Sequence, residues 1–450
     1  MAFKYIEMPH NQILVNCDEY FYSAPALTLA ETGDYANRKT FPEGLFTSGD
    51  QYLVHTQLTP YFEALFIKIF GYSRFSIRLH SAVFFLAGAM LLFYLWMSLL
   101  KSNLFGAVLL AAYFASPFLI FAGRTARPEM FGGFLLFSAC LCIVLLVKSQ
   151  KIGFFGAGLL AGVATYNHPI FFAVSCLPFL FGLNYYRINI LSWKAILGFA
   201  ISYGAGALFS VVGIMAFLVL PFYEQWVEQF VQAISDPKNA TYSSRQEGII
   251  SKVLSLKARF STFGFGYAAW YLVVIAIPFL FKGRSYFYFG CAWLIAAMYF
   301  IHINTVLTLG YCVQFAVGVP ILILMGDKVR FKFLNHRRFV LLFGGFAGVF
   351  SLVHIFLVLY PNNFAKEFLR KELLIENRLQ KIQSKSKVIG PLEAAIHALK
   401  NGHIYFEPSD FAFSPDILKK YHRLIWEQAD YEIDDNLTFI YREDKMKISH

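Results

Sequence analysis

Charge is scarce in this sequence. Asp, Glu, Lys and Arg supply 15% of its 450 residues, where roughly 25% is usual for a soluble globular domain. Apolar residues fill the gap at 57%, or about 64% with the 31 glycines added, against roughly 45–50% for soluble domains counted that way. A soluble core cannot hide so much apolar surface without leaving large exposed patches. That excludes a cytosolic enzyme, a secreted domain and a disordered regulator. Cysteine is sparse too, with six residues and no disulfide spacing. Cys140, Cys142, Cys176, Cys291 and Cys312 fall in apolar runs, where they serve as small hydrophobes. Residues 1–17 lack the apolar stretch of a signal peptide. Internal repeats and low-complexity segments are absent, and no basic cluster is interleaved with aromatics in the manner of a nucleic-acid partner. What is left is an all-α polytopic membrane protein.

Apolar runs of about the 20 residues needed to cross a bilayer lie near 79–100, 104–122, 130–147, 152–166, 169–183, 195–220, 263–281, 285–301, 305–325 and 339–360. The fourth and fifth are short and are separated by Asn167-His168-Pro169; one long tilted helix is the alternative. Loop charge decides between the two. With two spans, one side of the membrane receives Lys101, Lys148, Lys151, Arg187, Lys194, Lys282, Arg284 and the basic loop Asp327–Arg338, while the other receives Arg124 and Arg127. That split obeys the positive-inside rule. It places residues 1–77, the loop 221–262 and the tail 361–450 outside, with the transmembrane region at 78–360.

The net charge of +11 lies wholly in residues 1–360, since 361–450 balances 14 basic against 14 acidic residues. An excess of Lys and Arg beside membrane spans points to anionic lipid heads as partners. The tail reads as a small soluble α/β domain, with helical stretches at Lys366–Ser384 and Leu392–Asn401 before strand-like runs at His403–Phe406 and Leu437–Tyr441. In the outer loop, Tyr223, Trp226 and Phe230 share one helical face and suggest a helix lying in the membrane interface.

The first outer segment carries an acidic pair, Asp18-Glu19, at the first turn of an amphipathic pattern running to Gly33. Carboxylates there suit the helix dipole, and Asp18 also fits a plain N-cap. The loop Ala122-Gly123-Arg124-Thr125-Ala126-Arg127-Pro128-Glu129 holds the two basic residues that positive-inside bias would remove. Snorkelling helix-end arginines are one reading of them. A dipole partner or an ion pair with Arg127 is one reading of Glu129. A hydrogen-bonded histidine at a helix break is one reading of His168.

Taken in order, these motifs resemble those of the GT-C superfamily of membrane glycosyltransferases. The likeness is greatest to its protein mannosyltransferases and lipid A aminoarabinose transferases, and it runs over residues 16–185. It rests on Asp18-Glu19 followed by Tyr20 and Ala24, on Leu29-Ala30 and Gly33, on Phe70-Gly71 leading to Arg78-Leu79, on the loop 122–129, and on Thr165-Tyr166-Asn167-His168-Pro169. The chain departs from the family pattern in two places. His55-Thr56-Gln57 lacks the two prolines that usually follow a basic residue there, and no apolar span precedes the acidic pair, the pattern expected of a start set too late or a shortened copy.

The resemblance implies a GT-C fold of about ten transmembrane helices and a sugar donor linked to a polyprenyl phosphate. The acceptor would be a glycolipid or protein at the outer face, as in lipopolysaccharide modification at a bacterial inner membrane with the site on its periplasmic side. A lipid phosphate is already a good leaving group, so one carboxylate suffices as base for the acceptor hydroxyl, whereas a glycosidase needs two. Asp18 is the choice for that base, with Glu19 beside it, and in-line attack inverts the anomeric carbon. Arg124 and Arg127 suit the leaving phosphate. Tyr22, His55, Glu129 and His168 are candidate substrate contacts. Glu19 and Glu129 are candidate oxygen ligands for Mg²⁺ or Mn²⁺, although two carboxylates are too few to assign a metal. Two readings of another class stay open: an inactive or truncated membrane protein that binds a partner, and a secondary transporter, against which the near absence of charge within the spans argues.

Overall fold

A computed structural model describes residues 17–36, 58–100, 113–114, 116–235, 274–304, 309–326, 328–329, 373, 376–377, 379–380, 387–389, 395–402, 404–406, 433–434 and 437–439. His55, the expected span 339–360, and most of the spans at 104–122 and 263–281 lie outside these residues, as does the greater part of the loop 221–262.

The described chain is mostly helical. Helix α1 (Cys17–Thr32) and helix α2 (Leu58–Phe70) pack side by side ahead of the long helix α3 (Arg74–Leu100). Gly71, at φ +74°, turns the chain between α2 and α3 in a left-handed conformation that favours glycine. Next come α4 (Pro117–Gly123), α5 (Glu129–Leu145) and α6 (Gln150–Asn167). The expected break after Asn167 is present: His168 is extended, a 3-10 turn covers Pro169–Ala173, and α7 (Cys176–Tyr185) begins three residues on. Proline has no N–H to continue the α6 ladder, and the residue before it is pushed out of helical geometry. Helices α8 (Trp193–Leu218), α9 (Tyr223–Ser235), α10 (Ser285–Asn304) and α11 (Leu309–Met325) follow.

By length and composition, two of the described helices can cross a membrane, α3 over Arg74–Leu99 and α8 over Trp193–Leu218. A third span is added if α5 and the segment Val147–Asn167, which meet at 85°, count as one. That is fewer than the ten apolar runs of the sequence. An apolar run sets the composition of a segment but not the length of its helix, and breaks at Leu146, His168 and Ser175 cut several runs short. Side chains on α8 face outward: Phe217 is 83% exposed and Phe209 69%, and Gly206 and Ser210 are its buried positions. An apolar surface of that kind belongs against lipid.

Helix α8 lies on α6 through glycine. A Cβ on Gly158 would come within 2.0 Å of the Tyr203 carbonyl oxygen, and one on Gly206 within 2.1 Å of the Phe155 carbonyl oxygen. Gly158 and Gly162 form a small-xxx-small stripe that lets two backbones approach where lipid offers no hydrophobic drive. The main core gathers Trp96, Phe137, Phe154, Phe171, Phe181, Phe287 and Leu322 from α3, α5, α6, α7, α10, α11 and the 3-10 turn between α6 and α7.

The two ends of this bundle differ. At one end, Asn184 Nδ2 donates to the Met325 carbonyl (3.1 Å) and Arg284 Nη1 to the Asn184 carbonyl (3.0 Å). There also strand β1 (Phe281–Lys282) pairs antiparallel with β2 (Lys328–Val329). Lys282, Arg284 and Lys328 thus lie at this end. At the other end sit α1, α2 and the turn 124–128. Ala24, Leu27, Ala64, Ile67, Ile77 and Ala126 form a second core there with Leu379, Ala398 and Leu399 from the tail.

In the tail, β3 (Lys387–Ile389), helix α12 (Ala395–Lys400) and β4 (Ile404–Phe406) make a parallel crossover unit. Strand β6 (Leu437–Phe439) pairs parallel with β3 on its other edge and antiparallel with β5 (Ile433–Asp434), giving the order β4-β3-β6-β5.

Candidate functional site

The end that holds α1 and α2 is organised by a buried ion pair. Glu19 lies in the first turn of α1, and Arg78 lies at the start of α3. Arg78 Nε donates to Glu19 Oε1 at 2.6 Å and Nη2 to Oε2 at 2.7 Å, the bidentate fork that arginine makes with a carboxylate. The Ala126 N–H donates to the same Oε1 at 3.0 Å. One carboxylate therefore ties α1, α3 and the turn 124–128 together. Burial acts to raise the Glu19 pKa, but the Arg78 charge and hydrogen bonds, Arg74 and the Ala126 N–H outweigh it and hold the group below its usual range.

The turn itself is fastened from several sides. Arg127 N donates to the Thr125 carbonyl at 2.9 Å, and Ser81 Oγ on α3 donates to the Arg127 carbonyl at 3.0 Å. The Arg127 guanidinium folds onto Glu129, with Nη2 to Oε1 at 2.6 Å and Nε at 3.0 Å from both oxygens. At the end of α6, Asn167 links two elements: its Oδ1 accepts from Thr59 Oγ1 of α2 (2.8 Å), and its Nδ2 donates to the Pro128 carbonyl (3.0 Å). His168 accepts weakly from Ile170 N through Nδ1 and lies near enough to Glu129 to interact with it electrostatically.

Of the residues singled out from sequence, Glu19, Arg124, Arg127, Glu129 and His168 come together at this end. The two arginines are not snorkelling into water. Arg124 is 4% exposed and Arg127 3%, so both are set inside the protein. Glu129 makes the ion pair with Arg127, and His168 caps the 3-10 turn after the break. Tyr22 is buried in α1. Asp18 lies in α1 one position before Glu19; its side chain, like His55 as a whole, is outside the described residues. The oxygens of Glu19 and Glu129, the candidate metal ligands, each accept from an arginine. Among the described residues no three His, Cys, Asp or Glu side chains cluster as a metal set would.

Several residues of this end carried no assigned role in the sequence reading. Arg78 appears there only as part of a motif, and its partner could not be inferred without the fold. Glu63 is the clearest omission, and it had a signal. On α2, residues 59, 60, 63, 64 and 67 are buried, a helical stripe that includes a carboxylate. Glu63 sits under α1 with its oxygens buried, and burial followed by the Glu19 charge raises its pKa well above the ordinary value. The guanidinium groups of Arg78, Arg124 and Arg127 are buried at this end with the carboxylates of Glu19 and Glu129, Glu19 paired with Arg78 and Glu129 with Arg127. A buried guanidinium is a side chain suited to receiving a phosphate.

Residues 54–225 match the family model described as dolichyl-phosphate-mannose-protein mannosyltransferase. The fold is similar to the crystal structure of ArnT from Cupriavidus metallidurans bound to undecaprenyl phosphate, with TM-score 0.64 and 14% identity, over 93% of this chain and 86% of that one. Against the same protein in the apo state the TM-score is 0.62 at 15% identity, with the same coverage. No curated protein sequence matches the chain significantly.

Proposed function

From the premise that this chain has the GT-C fold of ArnT and is an integral membrane protein, we propose that it transfers one sugar from a polyprenyl-phosphate donor to an acceptor on the outer face. The acceptor class proposed is a cell-envelope glycolipid, and the setting a bacterial inner membrane with the site on its periplasmic side. The observation that carries this reading is the pair of buried arginines, Arg124 and Arg127, at the turn 124–128, directly beside the helix that bears the acidic pair. The family match over that region and the undecaprenyl phosphate bound to ArnT support a lipid phosphate as its occupant.

In this reading the phosphate of the donor lies at Arg124 and Arg127. The acceptor hydroxyl gives its proton to the Asp18 carboxylate as its oxygen attacks the anomeric carbon. The bond from that carbon to the phosphate oxygen breaks in line, so the configuration inverts and the lipid phosphate leaves with the extra charge. Arginines fixed in a dry site favour that charge more in the transition state than in the bound donor. The Glu19–Arg78 clamp holds the start of α1, and with it Asp18, against the turn. Glu129 and His168 border the same space, and no step is routed through a metal.

The test compares membranes expressing the wild type, Asp18→Asn or no protein, with polyprenyl-phosphate sugars measured by mass spectrometry of the extracted lipid. The wild type consumes donor, and Asp18→Asn, of the same size but without basicity, lets it accumulate while folding normally. Donor consumption by Asp18→Asn at the wild-type rate removes Asp18 as the base. Donor levels equal to the empty membrane in both remove the transferase reading.

A further inference from the structure

The proposed transfer makes no use of Asn167, the residue before His168. Asn167 is the last residue of α6, and like Thr59 of α2 it is fully buried. A buried amide is costly unless its hydrogen bonds are made. Asn167 makes them outside its own helix, Nδ2 donating to the Pro128 carbonyl (3.0 Å) and Oδ1 accepting from Thr59 Oγ1 (2.8 Å). The Pro128 carbonyl can only accept, which turns the amide nitrogen toward it and leaves the amide oxygen to Thr59. The chain of bonds therefore has one direction, from the Thr59 hydroxyl through the amide to the Pro128 carbonyl. Bonds in such a chain polarise one another, so the first strengthens the second.

Pro128 is a place where a side chain can take hold of the turn. Proline has no N–H, so the carbonyl is its one polar backbone group. That carbonyl accepts from Gly132 N (3.2 Å), in the first turn of α5, as well as from Asn167. It thus fixes the start of α5, where Glu129 stands and pairs with the Arg127 guanidinium. Three successive residues of the turn are each held by a different helix. Glu19 of α1 accepts from the Ala126 N–H, Ser81 of α3 donates to the Arg127 carbonyl, and Asn167 of α6 donates to the Pro128 carbonyl. Through Thr59, the last of these brings in a fourth helix, α2.

We propose that Asn167 is a positioning residue that, with Thr59 behind it, sets the arginine turn against α2. Both side chains are closed to solvent and act through the backbone from which Arg127 and Glu129 project. Without the Thr59 bond the amide is held at one end, and its grip on Pro128 weakens. The consequence for phosphate binding rests on the transferase reading, but the positioning itself does not, and it can be read without donor or acceptor.

The experiment uses the full chain in nanodiscs and two readouts on the same samples. Hydrogen exchange by mass spectrometry follows the peptide 124–132, whose Ala126 and Gly132 amides report on both sides of Pro128, and undecaprenyl phosphate is titrated for affinity. Thr59→Val keeps the shape and removes the hydroxyl; Thr59→Ser keeps the hydroxyl. Thr59→Val is expected to lower protection of the peptide about two- to tenfold, the worth of one hydrogen bond, and to weaken undecaprenyl phosphate by a similar factor. Thr59→Ser returns both to the wild-type values. Asn167→Leu, which removes both bonds, lowers both at least as far; if it does not fold, the Thr59 pair carries the test. Wild-type protection in Thr59→Val, or a Thr59→Ser protein no better than Thr59→Val, overturns the proposal. So does lowered protection with unchanged affinity in a chain that binds the lipid, the behaviour of a contact that is structural alone. A wild type that does not bind undecaprenyl phosphate removes the transferase reading, and the exchange data then decide the positioning by themselves.

Discussion

At the scale of single residues, two buried carboxylates in one site are shifted in opposite directions by what stands next to them. Glu19 has a bidentate arginine and a backbone N–H, which hold its pKa below the ordinary value; Glu63 has neither, and burial raises its pKa well above that value. Their contributions to stability therefore have opposite signs with pH. Glu19, with its pKa below the ordinary 4.5, stabilises the fold above that value and ceases to as pH falls through its lowered one. Glu63, raised, favours the fold fully below 4.5 and loses that contribution as pH climbs through its raised value. Glu19→Gln is expected to cost about 3–5 kcal/mol, because it strands Arg78 in a buried place without its counter-charge. Its melting curve should also lack the acid-limb loss shown by the wild type. Equal melting temperatures for the two proteins near pH 7 contradict the clamp. The sequence made Glu19 a candidate because acidic pairs are conspicuous in an apolar chain. It could not show that Arg78 was the partner, since that contact joins residues brought together only by the packing of α1 and α3 against α2. Glu63 was legible in principle from its position on the buried stripe of α2.

At the scale of elements, the contact of α6 with α8 depends on the absence of side chains. A Cβ at Gly158 meets main-chain atoms of Tyr203, which cannot rotate aside. Gly158→Leu is expected to lower stability by more than the roughly 1–3 kcal/mol typical of overpacking, measured as a fall in melting temperature in detergent. Gly204→Leu, on the same α8 but with nothing within 4 Å of its Cβ position, should be close to neutral. Equal effects of the two changes contradict the close approach. The helix break at Asn167-His168-Pro169 was readable because proline chemistry is local. The strands at Ile404–Phe406 and Leu437–Phe439 and the helix Ala395–Lys400 also fall within stretches expected to form them. Strand β3 was not anticipated: Lys387–Ile389 is too short to show a period, and it is defined by neighbours far along the chain on both edges.

At the scale of the whole molecule, charge is sorted along the bundle. Lys282, Arg284 and Lys328 meet around Asn184 and the β1–β2 pair, while the other end holds the buried arginines at the turn 124–128. The charge pattern of the sequence set Lys282 and Arg284 apart from Arg124 and Arg127; that these two arginines are buried beside the acidic helix needed the fold. The number of spans was less readable, since apolar composition does not reveal where a helix bends or stops. The central claim is that the buried arginines at the turn receive a polyprenyl phosphate. The measurement that tests it most directly is a binding titration of undecaprenyl phosphate against the full chain in nanodiscs, with wild type and Arg124→Gln compared at one salt concentration. The account predicts saturable binding by the wild type, weakened at least about tenfold in the variant, as removal of a charge-assisted phosphate contact entails. Equal affinity in the two proteins, or no saturable binding in either, contradicts it.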